Sequence, residues 1–119
     1  MSHQFPHHFT PAEATALIPN LTQWLHELRL LKQTLDRQAE RLAELIYDFG
    51  DQGGHRVNEQ TRMLVQWQEV LGQFSGRGIQ IRNLETGELD FPALRGDQEI
   101  FLSWQEGDTQ VDAWREIPN

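Results

Sequence analysis

Leucine recurs at seven-residue intervals, at Leu21, Leu28, Leu35 and Leu42, and Phe49 continues the series. A second series, Leu17, Trp24, Leu31, Gln38 and Leu45, is offset from the first by three residues. Spacing of this kind lines one stripe of an α-helix, the seam along which helices pack at a shallow angle. Ile18, Leu25, Ala39 and Ile46 widen the stripe, and Gln38 is the polar position that sets register within it. The like-charge pairs Glu40/Glu44 and Arg37/Arg41 lie four residues apart, which is slightly unfavourable on a helix surface. Packing of the seam, rather than surface pairing, must therefore hold the helix.

Its limits are readable as well. Thr10 and Glu13 have the spacing of a capping box, with Pro11 at the first helical position. Pro19 lacks an N–H and crowds the preceding turn, so the pattern predicts either a kink or a short helix, residues 11–18, before the long one. Phe49-Gly50-Asp51-Gln52-Gly53-Gly54 ends it with a glycine cap and a turn. A second helix is expected over residues 55–74, with Val57, Leu64 and Leu71 on its seam and Met63, Trp67, Val70 and Phe74 alongside. At ~1.5 Å per residue, roughly 30 residues of the first helix outreach about 20 of the second by several turns. The uncovered seam points to a homodimer through the long helix.

After Gly76 and Gly78 the apolar period changes from helical to alternating. Residues 78–84 and 88–91 read as two strands about a turn at Glu85-Thr86-Gly87, and Pro92 is expected to stop the pairing. A loop over 93–98 then leads to a strand at 99–104, an acidic turn at 105–108 and a last strand at 109–114. The expected fold is α+β, mostly α: a long antiparallel helical hairpin followed by a small antiparallel β-meander. As a single domain of 119 residues it divides into a mobile tail (1–10), the hairpin (11–75) and the meander (76–119).

Composition narrows the function. The net charge of −8 is lopsided: from Glu85 onward there are nine acids against Arg95 and Arg115. Nucleic-acid binding needs a basic surface that displaces counterions from phosphate, and none is visible, so no nucleic-acid partner is expected. An acidic C-terminal third instead suits a basic protein partner. No apolar run approaches the ~18 residues of a membrane span. Nothing in the first ten residues resembles an export signal, and there is no cysteine, which suits a cytoplasmic protein. The absence of cysteine excludes disulfides, thiol catalysis and thiolate metal sites.

Candidate chemistry is sparse. His3, His7 and His8 sit in the tail, and His26 and His55 have no partner at metal-ligand spacing. Asp90, Asp97 and Asp108, with Glu99, Glu106 and Asp112 nearby, are the residues that could converge on a divalent cation, although no calcium-loop spacing is present. Ser75 and Ser103 lack a nucleophile context, and Gly72 to Gly78 lacks the lysine and strand-before-helix order of a phosphate loop. No catalytic residue or cofactor is assigned. Trp24 and Trp67 fall on the seams and read as core. Trp104 and Trp114, with Arg115, Glu106 and Asp108, form the candidate contact surface. Arg115 beside Trp114 would suit an acidic or planar group.

Several pieces, in order, resemble the bacterial family catalogued as domain of unknown function 2203. They are Phe9-Thr10 with Glu13-Ala14, Leu17-Ile18-Pro19, Gly53-Gly54, Gly87 before Asp90-Phe91-Pro92-Ala93, Leu102-Ser103-Trp104, and Ala113-Trp114-Arg115-Glu116. The resemblance implies a fold and no activity. It also implies a departure, because that family tends to carry Cys where this chain has Ser103 and His where it has Arg115, followed by a glycine-rich tail. The functional reading is thus a non-enzymatic, self-associating interaction module. Its rival is a small-molecule or divalent-metal-dependent enzyme built on the acidic meander.

Overall fold

The structure, a computed structural model, describes the backbone of residues 4–49 and 54–118 and the side chains of residues 4–39 and 61–118. Among the described residues three helices, α1 (Pro11–Ala16), α2 (Ile18–Phe49) and α3 (Gly54–Ser75), precede four strands: β1 (Gln80–Asn83), β2 (Glu88–Arg95), β3 (Gln98–Gln105) and β4 (Ala113–Glu116). The strands form one antiparallel sheet in chain order, β1-β2-β3-β4. Among the described residues no helix is long and apolar enough to cross a membrane.

α1 begins at the reciprocal Thr10–Glu13 capping box and stops one residue short of Ile18. Leu17 is the junction, and α2 takes up Pro19 in its first turn, where the missing N–H has no helical partner to lose. The seam leucines Leu21, Leu25 and Leu28 are completely buried. They share one core with Phe9, Val70, Phe74 and the sheet residues Leu89, Phe91, Leu102 and Trp104.

This arrangement overturns the expected mostly-α fold organised by a long antiparallel helical hairpin. The four-stranded sheet is the central element, and the first half of α2 buries its stripe in a core shared with that sheet. Among the described side chains of α3 the buried positions are Val70 and Phe74, with Met63, Trp67 and Leu71 partly covered, whereas Leu64 is 48% exposed and Val65 49%. The seven-residue series Val57, Leu64, Leu71 is therefore not the buried stripe of α3 at Leu64. A heptad pattern states that one face of a helix is apolar; it does not say whether a helix or a sheet covers that face. The expected turn at residues 50–53 lies outside the described residues, as do the side chains of His55 and Val57.

Two strand boundaries also move. β2 continues through Pro92, which pairs with Phe101, to a tight turn at Gly96-Asp97 that replaces the expected 93–98 loop. Proline is tolerated because β1 reaches only as far as the Gln80–Asp90 pair. The Pro92 carbonyl faces that open side and accepts the Phe9 N–H at 2.7 Å, so the missing proline N–H deprives no neighbouring strand. The last strand is residues 113–116 rather than 109–114, because residues 106–112 form a longer connection anchored by fully buried Val111. The Val111 N–H donates to the Thr15 hydroxyl of α1 at 2.9 Å.

Arg29 fastens α2 both to the β1–β2 turn and to the start of the 106–112 connection. Its Nε donates to the Leu84 carbonyl at 3.0 Å, and its Nη2 meets Glu106. Gly87 lies beneath, at φ +73°, where a Cβ would come within 2.6 Å of the Glu106 Cβ. Only glycine fits both the backbone conformation and the space.

If the stripe of α2 is backed by the sheet core, Leu25→Ala should lower unfolding free energy by about 3 kcal/mol, and Leu64→Ala by no more than about 0.5 kcal/mol. Urea denaturation of the two variants measures the difference. Equal losses would restore the helix–helix seam as the main source of stability.

Candidate functional site

Residues in a strand alternate between faces, so the register sorts the meander into two surfaces. Leu89, Phe91 and Ala93 of β2 stand opposite Trp104, Leu102 and Ile100 of β3 on the inner, core face. Asp90 and Pro92 stand opposite Ser103 and Phe101 on the outer face. β3 is covered on both sides, since Phe101 is buried as well.

The outer face is covered partly by the start of the chain. Residues 4–10, read from sequence as a mobile tail, lie along the sheet. The Gln4 and Phe5 N–H groups donate to the Glu99 carboxylate at 2.6 and 2.9 Å, and His8 Nε2 lies 2.8 Å from it. The Phe5 ring tilts against Phe101 with centroids 5.7 Å apart.

Asp90 is the centre of that face. It is fully buried, and a lone buried carboxylate would be strongly unfavourable. Three groups compensate it. Ser103 Oγ donates to Oδ1 at 3.1 Å, Arg82 Nε lies 3.1 Å from the same oxygen, and Arg115 Nη2 donates to Oδ2. The Arg115 guanidinium also lies over the Phe101 ring, 5.3 Å from its centroid. β1, β2, β3 and β4 each contribute one member, so the cluster ties all four strands together.

The second feature is the β4 edge on the inner side. Trp114 pairs with Leu102 but, at the margin of the sheet, stays 42% exposed. Arg95 lies over its ring at 4.2 Å from the centroid. A cleft of about 370 Å³ opens beside it, lined by His8, Phe9, Pro11, Ile100, Leu102 and Trp114 among others.

The candidate residues from sequence separate in space. Asp97 is exposed in the β2–β3 turn, Asp90 lies in mid-strand, and Asp108 follows the far end of β3. They do not converge, and among the described residues no three His, Cys, Asp or Glu side chains group as a cation site requires. The acids have structural partners instead. Asp108 Oδ2 accepts the Gln105 N–H, and Glu106 pairs with Arg29. Trp104 is core rather than contact, with its indole N–H donating to the Asp108 carbonyl at 3.0 Å. Arg115, expected to act together with Trp114, is turned to the opposite face by strand alternation and meets Asp90. Sequence reasoning missed Arg82 and Arg95. The signal for Arg82 was available, since a turn at 85–87 folds residue 82 back towards residue 90.

The comparison of this chain with protein-family models matches residues 7–118 to a family described as an uncharacterized conserved protein, DUF2203. The chain belongs to this family. No curated protein and no solved structure matches it. Membership covers every element from α1 to β4, so the Asp90 cluster and the Trp114 edge both lie inside the family's domain.

Asp90→Ala should destabilise the chain by roughly 3 kcal/mol, because it leaves two guanidinium groups without their buried counter-charge. Ser103→Ala, which removes one hydrogen bond and keeps both arginines paired, should cost about 1 kcal/mol. Denaturant titration of both variants tests the order. A smaller loss at Asp90 than at Ser103 would contradict the central role of the carboxylate.

Proposed function

We propose that this chain is a non-enzymatic binding module whose contact surface is the β4 edge around Trp114. The observation that carries the reading is the state of that indole. It is 42% exposed on an edge strand, covered on one side only by the Arg95 guanidinium, beside an apolar cleft. Tryptophan and arginine are the residues that most often dominate binding energy at protein contacts. Trp104, by comparison, is enclosed in the core, where it can contact no partner.

The partner that fits is an extended, basic segment of another protein. β4 ends the sheet and presents an open side on which a strand can add through backbone hydrogen bonds. Asp112 and Glu116 flank Trp114 and are exposed, within a C-terminal third that carries −7 of the net charge. Lysine or arginine in the added strand would meet these acids, and an apolar residue would enter the cleft. The metal-enzyme alternative is less well supported, because Asp90, Glu106 and Asp108 already have structural partners.

A test uses two synthetic peptides, one alternating lysine with leucine and one alternating glutamate with leucine. Fluorescence anisotropy should show the lysine peptide binding the chain, with affinity that falls steeply as salt rises. Trp114→Ala should reduce that affinity at least about tenfold at a temperature where circular dichroism shows the variant still folded. Equal binding of both peptides, or an unaffected Trp114→Ala variant, would reject the surface.

Self-association through the long helix is a second reading, favoured by a separate observation. Leu30 on α2 is 51% exposed, and Leu64 and Val65 on α3 are exposed to a similar degree. A second copy covering these side chains would double the mass measured by light scattering at tens of micromolar. A monomer mass at that concentration removes the reading.

A further inference from the structure

We propose that the Arg82–Asp90–Arg115 cluster on the outer face of the sheet is a binding site for a small oxyanion, a carboxylate or a phosphate, gripped by Arg115. The first observation is one of charge. Two guanidinium groups converge on one carboxylate, and Ser103, the third partner, is neutral, which leaves one positive charge in the cluster uncompensated.

The other acids of the same face are placed elsewhere. Glu88 pairs with Gln105, two residues from Asp90 along β2 on the side away from Arg115. Arg115 arrives from the opposite direction, where its backbone pairs with Phe101. Glu99 is engaged by the Gln4 and Phe5 amides and by His8.

The second observation is independent and concerns the fork of Arg115. A guanidinium recognises an oxyanion best with Nε and Nη2 together, as two parallel hydrogen bonds. Here Nη2 meets Asp90, whereas Nε is buried without a hydrogen-bond partner. A buried, charged N–H without an acceptor is costly, so the present pose leaves half of the fork unsatisfied. Asp90, in contrast, would keep Arg82 and Ser103 if Arg115 turned away.

Arg115 is therefore the exchangeable arm. About a third of its side chain is open to solvent, at 35%, and the buried Nε becomes reachable from outside the sheet once the guanidinium turns from Asp90. An oxyanion that takes both Nε and Nη2 satisfies the orphan donor and the surplus charge in one step. Phe101, buried beneath the guanidinium, backs the arm on the sheet side. The site lies on the face opposite the Trp114 edge, so neither proposal depends on the other.

The test uses the whole chain labelled with ¹⁵N and follows the Nε–H resonance of Arg115 by NMR. Inorganic phosphate and acetate are titrated separately against sodium chloride at matched ionic strength. The expected result is a saturable shift of that resonance in the millimolar range with one or both probes and none with chloride. Saturation by acetate alone assigns the site to carboxylates, by phosphate alone to phosphates, and by both to small oxyanions in general. Arg115→Lys, which keeps the charge but lacks the fork, should weaken the effect on neighbouring Ala113 and Trp114 amides at least about tenfold. An unmoved Arg115 resonance with both probes overturns the proposal, as does undiminished binding in the lysine variant. Should that variant fail to fold, the titration of the unaltered chain decides by itself.

Discussion

The structure depends on a carboxylate placed where no water reaches it. Asp90 sits in the middle of β2, and its burial is compensated by positive charge and hydrogen bonds from the neighbouring strands. Arg82 supplies charge from β1, Ser103 a hydroxyl from β3, and Arg115 charge from β4. A one-residue slip of any strand would turn its member of the cluster to the opposite face and leave a charge or hydroxyl without its partner. The register of the whole sheet is thereby linked to one side chain.

The inner face is stabilised by a different force. Leu21, Leu25 and Leu28 of α2 share a dry core with Leu89, Phe91, Leu102 and Trp104, so that side of the sheet is held by burial of apolar area. Arg29 adds a polar fastening at the rim, bridging the Leu84 carbonyl and Glu106 above Gly87. A sheet with an apolar inner face and a charged outer face has two chemically distinct surfaces. The Trp114 edge belongs to the first and the arginine cluster to the second. The −7 of the C-terminal third acts over both as a long-range field.

How much of this was legible depended on whether the signal was local. The capping box at Thr10–Glu13 involves groups three residues apart, so its chemistry is complete within one turn of chain. Pro19 signals a break near Leu17, as either a kink or a short first helix, and the structure takes the second form. The strands near 80–83 and 98–105 follow from alternation. The hairpin reading failed because Leu64 carries the same seven-residue spacing as Leu71, yet only contact with the rest of the molecule decides which of them is covered. The boundary at Pro92 failed for a related reason. Whether a missing N–H matters depends on which neighbour that side of the strand faces, and β1 stops short of it. Among candidate residues, Trp114 could be read as exposed from its place in a terminal strand. Arg115 could not be assigned to Asp90, because 25 residues separate them and β3 lies between.

By itself, then, the sequence determined the kinds of element and their order along the chain, since periodicity and capping act within a few residues. It also determined the absence of thiol chemistry and the acidic C-terminal third, which are matters of composition. The tertiary structure alone decided which apolar stripe meets the sheet and that Asp90 gathers Arg82, Ser103 and Arg115. It alone decided that Trp104 is enclosed while Trp114 is presented. Those outcomes rest on contacts between residues far apart in the chain, where burial and charge pairing are properties of the assembled fold.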